Sequence, residues 1–246
     1  MEINENKFAF VTGTSSGIGK ATANELLKLG WKVIGTARRN VDINDKNYVH
    51  LKIDLSDINN LENQLAKQLK LKISDKKYDR IALVNNAAGT GELLRFEELD
   101  PKKLSELYIL NTVTPIWLSG IFFKNKNEKT RLRIIDISTG AAHNAYPGLT
   151  PYCGTKAALL ISGKILAIEN KEDKSLAIRS YEPGTVDTEM QLKVRSEEPE
   201  IFPSANVFKS LKANNMLADP NVVAKDIVDF LEDNEPGYSE KRFGKD

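Results

Sequence analysis

Short β-rich segments alternate with amphipathic helical segments along most of the chain. Runs of apolar and β-branched residues predict six strands, at residues 7–12, 31–36, 49–53, 80–84, 132–137 and 176–181. Apolar residues at helical spacing predict helices at 18–29, 57–71, 152–168 and 221–232, and one interrupted helix or two at 101–124. Because parallel strands need long crossovers, this order predicts a doubly wound, Rossmann-like α/β fold, with helices on both faces of a parallel sheet.

The later part of the chain departs from this alternation. A Pro- and charge-rich stretch follows the sixth strand, and long connections of this kind often cover active sites. We therefore predict a substrate lid at residues 191–215. The length of 246 residues fits one domain over residues 1–246.

Composition excludes several classes of function. Thirty-five Lys and Arg residues against 34 Asp and Glu give a net charge of +1, so no basic field exists to bind nucleic acid. One cysteine, Cys153, and two histidines, His50 and His143, are too few for a disulfide framework or a structural metal site. Residues 1–6 do not resemble a signal peptide, and no apolar run is long enough for a membrane span. We expect a cytoplasmic protein without metal.

A glycine-rich turn lies between the first predicted strand and helix. Its sequence is Thr-Gly-Thr-Ser-Ser-Gly-Ile-Gly at residues 12–19. Glycines allow backbone to approach a pyrophosphate closely, and the following helix points free N–H groups at the turn. The turn predicts a dinucleotide site, although three glycines in seven residues are also compatible with an ordinary turn. The residues assigned to this site are Gly13, Ser15, Ser16, Gly17, Ile18 and Gly19.

The end of the second strand bears on the choice of cofactor. A carboxylate there would bind the ribose hydroxyls of NAD, whereas arginine suits a 2′-phosphate. This chain has Arg38 and Arg39 after Ala37, which favours NADP(H), with two solvated arginines as the alternative. Asp54 and Leu55, which close the third strand, are expected beside the adenine.

Tyr152 and Lys156 lie four residues apart in a predicted helix and therefore share one face. A nearby ammonium stabilises a phenolate, so we expect the pKa of Tyr152 to be lowered. Alone, such a pair is also compatible with two surface residues. Its position after a strand that ends in Ser138 and Thr139 favours a catalytic role, because a hydroxyl can then reach the same carbonyl oxygen.

In this order of motifs, the chain resembles the short-chain dehydrogenase/reductase family, and within it the sepiapterin reductase and benzil reductase branch. The matching motifs are the glycine turn, Asp54, Asn85-Asn86-Ala87, Asn111, the hydroxyl strand end, Tyr152-x-x-x-Lys156 and Pro183-Gly184-Thr185-Val186-Asp187-Thr188. The resemblance implies strand order 3-2-1-4-5-6, with room for a short seventh strand at 238–243.

The resemblance also implies catalytic roles. Tyr152 would protonate the substrate carbonyl oxygen, while Lys156 would hold the nicotinamide ribose. The substrate-orienting hydroxyl would come from Thr139, which replaces the usual serine, or from Ser138 if the strand ends earlier. Asn111 would hold a water that relays protons. Pro115 cannot donate to the Asn111 carbonyl, which supports that role, although a proline kink that shapes packing is the alternative.

The remaining cofactor contacts come from the same resemblance. Val186 would donate an amide to the carboxamide, and Thr188 would bring a hydroxyl near the phosphates. Ala88 lies where the family usually has glycine, so its methyl group is expected to reduce the space between the backbone and the cofactor. The other residues assigned to the cofactor are Asn86, Ala87, Pro183 and Gly184.

The implied function is NADPH-dependent reduction of a ketone or dicarbonyl by a homodimer, with a homotetramer as the alternative assembly. Tyr146 and Met190 are candidates to line the substrate pocket, and Trp117 is a candidate better explained by core packing. Two other functions remain open at this point: an NAD-dependent alcohol dehydrogenase, and a non-catalytic nucleotide-binding redox sensor that kept the fold.

Overall fold

The structure is a computed structural model that describes residues 6–245, with only the backbone of Asn60. Seven parallel strands form one sheet in the order β3-β2-β1-β4-β5-β6-β7. Their bounds are β1 Lys7–Thr12, β2 Lys32–Ala37, β3 Tyr48–Lys52, β4 Arg80–Asn85, β5 Arg131–Ile137, β6 Leu176–Glu182 and β7 Gly237–Arg242. The predicted Rossmann-like fold is confirmed, and the seventh strand is present.

Across the residues that the structure describes, nine α-helical segments connect and cover the strands. They are α1 Gly17–Lys28, α2 Ile58–Asn60, α3 Lys67–Ile73, α4 Pro101–Tyr108, α5 Thr114–Asn125, α6 Thr150–Glu169, α7 Glu189–Ser196, α8 Ala205–Ala213 and α9 Pro220–Glu232. A π-helical turn, Leu61–Ala66, interrupts the helix predicted at 57–71. Another, Ile109–Val113, joins α4 to α5, where Pro115 lacks the N–H that a regular helix would use.

Both faces of the sheet are buried. Alternate residues along β1 point to opposite sides: Phe8 and Phe10 pack toward α3 and α5, whereas Ala9 and Val11 pack toward α1 and α9. This period of two places a hydrophobic core on each face, which is why the strands read as nearly continuous apolar runs. The rigid sheet holds the ends of its strands at fixed positions relative to one another.

The segment predicted as a lid loop at 191–215 is instead largely helical. Val194 of α7 and Ala205 of α8 pack with Leu93 and Leu149 in a small separate core, together with Phe202 from the connection between the two helices. Polar contacts add to this packing. Lys193 Nζ donates to the Gly91 carbonyl oxygen at 2.6 Å. Residues 189–216, which comprise α7, α8 and the turns beside them, therefore form a folded cover segment with its own apolar contacts.

Within residues 6–245, no helix is long and apolar enough to cross a membrane. The same residues contain no cluster of histidine, cysteine and acidic side chains that could hold a metal ion.

Candidate active site

The carboxyl ends of the central strands open onto one cavity of about 1000 Å³. The strand order reverses between β1 and β4, and ligands of open α/β sheets bind at such a switch point. Most residues assigned from the sequence line this cavity: Gly13, Ser15, Ser16, Gly17, Ile18, Arg38, Arg39, Asp54, Leu55, Asn86, Ala87, Ala88, Ser138, Thr139, Tyr152, Lys156, Pro183, Gly184, Val186 and Thr188. Gly19 and Asn111 lie behind its wall.

The glycine turn between β1 and α1 is anchored to its neighbours. The backbone N–H groups of Gly13 and Thr14 donate to the Thr36 carbonyl oxygen at 2.8 and 3.0 Å. Gly13 has φ of +76°, and a Cβ on Gly19 would lie 2.3 Å from the Gly13 carbonyl oxygen. Only glycine fits these two positions, so the backbone itself forms the wall of the cavity here.

Thr12 couples the glycine turn to the end of β4. Its Oγ1 accepts from the N–H groups of Asn86 and Ala87, both at 2.9 Å. The Asn86 side chain returns a hydrogen bond to the Thr12 carbonyl oxygen at 2.8 Å. Ala88, the departure from the usual glycine, lies at the cavity wall in the same segment. These contacts fix the floor of the cavity between the two strands.

The end of β2 carries the two arginines, and both are exposed. Arg39 Nη2 donates to Ser16 Oγ at 3.0 Å and to both carboxylate oxygens of Glu189, at 2.6 and 2.7 Å. Burial raises the pKa of the Asp54 carboxyl, but the hydrogen bonds from Ser56 and, to a smaller extent, the charge of Arg38 hold it below its ordinary value. The positive charges of Arg38 and Arg39 therefore lie close to the negative charges of Asp54 and Glu189 at the end of β2.

The segment after β6 closes the opposite side. Gly184 has φ of +70°, and Val186 is buried and forms an isolated parallel bridge with Ala218. Thr188 caps α7 by accepting from the Gln191 N–H at 3.4 Å, while its own hydroxyl donates to the Val186 carbonyl oxygen, also at 3.4 Å. The Thr188 methyl group would lie 3.1 Å from a Cβ on Gly17, so this segment packs directly on the glycine turn.

Tyr152 and Lys156 line the cavity from the same face of α6, as their spacing predicted. The Lys156 ammonium is buried and donates to the Ile137 carbonyl oxygen at 2.7 Å. The Tyr152 side chain is hydrogen-bonded to that of Thr139. One hydroxyl, one phenol and one ammonium thus meet at the end of β5.

The expected lowering of the Tyr152 pKa is wrong for this structure. Burial raises the pKa of Tyr152 to about 12, and the hydrogen bond with Thr139 only partly opposes this effect. Burial also lowers the pKa of Lys156 to about 8, with Asp136 opposing it. Because Lys156 is held on a backbone carbonyl, desolvation outweighs any effect of the ammonium on the phenol.

The two candidate hydroxyls differ in their surroundings. Thr139 is in extended backbone at the end of β5, where its Oγ1 accepts from the Ala141 N–H at 3.3 Å and its side chain contacts Tyr152. Ser138 is buried, and its Oγ has no hydrogen-bond partner within residues 6–245. The geometry therefore brings Thr139, rather than Ser138, next to the phenol.

Asn111 is fully buried in the π-helical turn between α4 and α5. Its amide donates to the Gly89 carbonyl oxygen at 2.8 Å and to Thr155 Oγ1 at 3.1 Å, and its oxygen accepts from the Gly89 N–H at 2.9 Å. The side chain thus ties the segment after β4 to α6, one residue before Lys156. Asn111 reaches Thr155, the neighbour of Lys156 in sequence, from its position in the π-helical turn.

The sequence analysis missed Asp136, a buried carboxyl within β5. It accepts from Asn85 Nδ2 at 2.7 Å, and burial raises its pKa to about 6, with Asn85 and Lys156 opposing that rise. A single acidic residue in the otherwise apolar run Ile134–Ile137 was the available signal. Glu189 was missed too, because nothing in its local sequence connects it to Arg39.

The remaining lining is mainly apolar. Of the candidates for the substrate pocket, Tyr146 and Met190 line the cavity, whereas Trp117 packs against the core. The cover segment adds apolar residues that periodicity alone did not single out: Val194, Phe208, Leu211 and Met216. A mainly apolar chamber therefore adjoins the polar group formed by Thr139, Tyr152 and Lys156.

A sequence model of the family described as short chain dehydrogenase matches residues 7–199. The chain belongs to this family. It is 32% identical to a benzil reductase, (S)-benzoin forming, from Bacillus cereus over 238 residues, which cover 93% of this chain and 95% of that protein. A sepiapterin reductase from Xenopus tropicalis is 26% identical over 62% of this chain and 59% of that protein.

A solved short-chain dehydrogenase/reductase from Saccharomyces cerevisiae has the same fold. Its TM-score is 0.79 at 25% identity, over 98% of this chain and 97% of that one. Together with the sequence relatives, it confirms the predicted family and branch. The protein is an oxidoreductase of the short-chain dehydrogenase/reductase family, and the motifs that define the cavity are those that the resemblance named.

Proposed function

We propose that this oxidoreductase is an NADPH-dependent carbonyl reductase that acts on a ketone or dicarbonyl of the benzil or sepiapterin type. The observation that carries the proposal is the meeting of Thr139, Tyr152 and Lys156 at the cavity wall, on the same sheet edge as the glycine turn. The similarity to benzil reductase supports a carbonyl substrate, and the apolar lining suits one with bulky apolar groups.

The residues of the turn fit a dinucleotide. A Cβ at Gly13 would lie 2.8 Å from Asn86 Nδ2, so glycine keeps open the approach that a pyrophosphate needs. The start of α1 adds its N–H groups and positive dipole end. NADPH supplies, when bound, the hydride for the carbonyl carbon. We assign cofactor binding to the following residues: Gly13, Ser15, Ser16, Gly17, Ile18, Gly19, Arg38, Arg39, Asp54, Leu55, Asn86, Ala87, Ala88, Tyr152, Lys156, Pro183, Gly184, Val186 and Thr188.

Each catalytic side chain then has a distinct task. Because the pKa of Tyr152 is about 12, the phenol holds its proton at neutral pH and can donate it to the substrate oxygen. The Thr139 hydroxyl, beside that phenol, donates a hydrogen bond to the same oxygen. Lys156 holds a positive charge at the cavity wall, where it donates to the Ile137 carbonyl oxygen. Asn111 ties the segment after β4, at Gly89, to α6.

The arginines favour NADP(H) over NAD(H), because both lie at the end of β2 and line the cavity. A 2′-phosphate carries more charge than a ribose hydroxyl, and guanidinium groups bind phosphate with charge-assisted hydrogen bonds. The ratio of NADP to NAD dissociation constants separates this proposal from an NAD-dependent alcohol dehydrogenase. Equal constants would remove the support for NADP(H).

Activity is tested by NADPH oxidation with a panel of aromatic diketones and pterins. Tyr152→Phe removes the proton donor and keeps the ring, so kcat is expected to fall by about 10² to 10⁴. The matched control is Tyr78→Phe, since Tyr78 lies just before β4, packs against Phe8 in the core and does not line the cavity. Equal rates in the parent and Tyr152→Phe would exclude this mechanism and favour a non-catalytic nucleotide-binding sensor.

We also propose a homodimer that forms through α5 and α6. The outer face of α6 exposes Ile161, Ile165 and Ile168, which are spaced to form one apolar stripe. Such a stripe is costly to leave in water, and twofold pairing would cover it on both copies. Sedimentation analysis of Ile165→Glu tests this assembly: the variant is expected to be a monomer, and an unchanged mass would contradict the proposed interface.

A further inference from the structure

The strand-end arginines are not equivalent in this structure. Arg38 has no hydrogen bond or ion pair with any side chain within residues 6–245, although it lies near Asp54. Asp54 Oδ1 is already occupied by the N–H and hydroxyl of Ser56, at 2.9 and 2.7 Å. Arg38 is therefore available to an incoming anion.

Arg39, in contrast, already has an anionic partner. Both oxygens of Glu189 accept from its Nη2, and the same nitrogen donates to Ser16 Oγ. Glu189 is the first residue of α7, so this ion pair joins the end of β2 to the cover segment across the cavity mouth. Thr188, the residue before it, packs on Gly17 and thereby fixes the start of α7 next to the glycine turn.

This arrangement sets two anions in competition for one guanidinium. A 2′-phosphate at the end of β2 could pair with both Arg38 and Arg39, but Glu189 already occupies Arg39. The 2′-hydroxyl of NAD(H) has no charge, so NAD(H) does not depend on an ion pair with Arg39.

We propose that Glu189 is a specificity-determining residue, whose carboxylate competes with the 2′-phosphate of NADP(H) for Arg39 and so limits the preference for NADP(H) over NAD(H). The inference rests on the proposed function, since it requires a nicotinamide dinucleotide in this cavity. It assigns a role to a residue of the cover segment, about 150 positions away from the arginine in sequence.

The test is to measure the dissociation constants of NADP⁺ and NAD⁺ for the parent and for Glu189→Gln by calorimetry at low ionic strength. The glutamine keeps the shape and removes the charge. We expect NADP⁺ to bind about threefold more tightly to the variant, in line with the size of an exposed ion pair, and NAD⁺ to bind as before. Glu198→Gln is the matched control, because it removes an exposed charge just beyond α7 and outside the cavity.

A second variant decides whether Arg39 mediates the effect. In an Arg39→Gln background, Glu189→Gln is expected to leave NADP⁺ binding nearly unchanged, because the shared partner is gone. An effect of full size in that background, an equal effect on NAD⁺, or none on NADP⁺ would overturn the role of Glu189 while leaving the proposed function intact. Failure of the parent to bind either nucleotide would overturn both.

Discussion

At the end of the cavity formed by β5 and α6, Asn111, Asp136 and Lys156 are buried, and each has a hydrogen-bond partner in the protein. At the end formed by β2, Arg38 and Arg39 are exposed, and the partner of Arg39 is another exposed side chain. Buried, hydrogen-bonded groups hold one geometry, whereas exposed ion pairs are weak and exchange readily.

The difference matches the functions that we propose: proton donation at the buried end and phosphate recognition at the exposed end. Proton donation depends on distances held within a fraction of an ångström, so the supporting groups must be fixed before substrate arrives. Recognition of a phosphate depends mainly on charge, which acts over longer distances and tolerates mobile side chains. Substitutions at the buried end should therefore change turnover, and those at the exposed end should change affinity.

After the loss of Tyr152 itself, the largest effect is expected for Thr139 at the buried end. Thr139→Ala removes a donor beside Tyr152, and kcat should fall about a hundredfold, as for loss of one oxyanion donor. Ser138→Ala, its neighbour, should stay within about twofold because the Ser138 hydroxyl is buried and has no hydrogen-bond partner among the described residues. Steady-state kinetics of both variants decide between the two hydroxyls, and the reverse pattern would assign the role to Ser138.

A smaller effect is expected for Arg38 at the exposed end. Arg38→Ala should raise the dissociation constant of NADP⁺ about tenfold and leave that of NAD⁺ unchanged, because one charge-assisted contact is lost. Lys32→Ala removes an exposed cation at the far end of the same strand and serves as the control. A loss of kcat without a change in affinity would contradict the division between the two ends.

The smallest effect concerns Asp136, which lies close enough to Lys156 for the two charges to interact. The pKa of Lys156 is about 8, so kcat/KM, which reports the free enzyme, should fall as pH rises through that value and the ammonium loses its proton. Asp136 raises the pKa of Lys156, and Asp136→Asn should therefore move this midpoint to lower pH and reduce kcat/KM at pH 8 roughly twofold.

The corresponding measurement is the pH profile of kcat/KM between about pH 6 and 10, for the parent and Asp136→Asn. A midpoint that stays in place or moves upward would show that Asp136 does not act on the charge of Lys156. The Asn85 contact offers a further comparison: Asn85→Asp would place a second carboxyl beside Asp136, and we expect it to destabilise the fold.

Local spacing accounts for what could be predicted at the site. The four-residue interval between Tyr152 and Lys156 puts both side chains on one helix face in any protein, and the glycines at 13, 17 and 19 suit only a close-packed turn. The cover segment was harder to predict, because its helices are short and their apolar faces pack on residues from distant parts of the chain, among them Leu93 and Leu149. Charge-rich composition suggested a loop instead.

By itself, the sequence determined the parallel α/β fold, the glycine turn and the shared face of Tyr152 and Lys156, because these depend on periodicity and on residues a few positions apart, while the other cofactor residues were assigned through the resemblance to the family. The tertiary structure decided the direction of the Tyr152 pKa, the placement of Asn111 against Gly89 and Thr155, the burial of Asp136, and the pairing of Arg39 with Glu189. Each of these depends on how far a group is removed from water, or on which distant residue meets it, and only the packed chain fixes those two conditions.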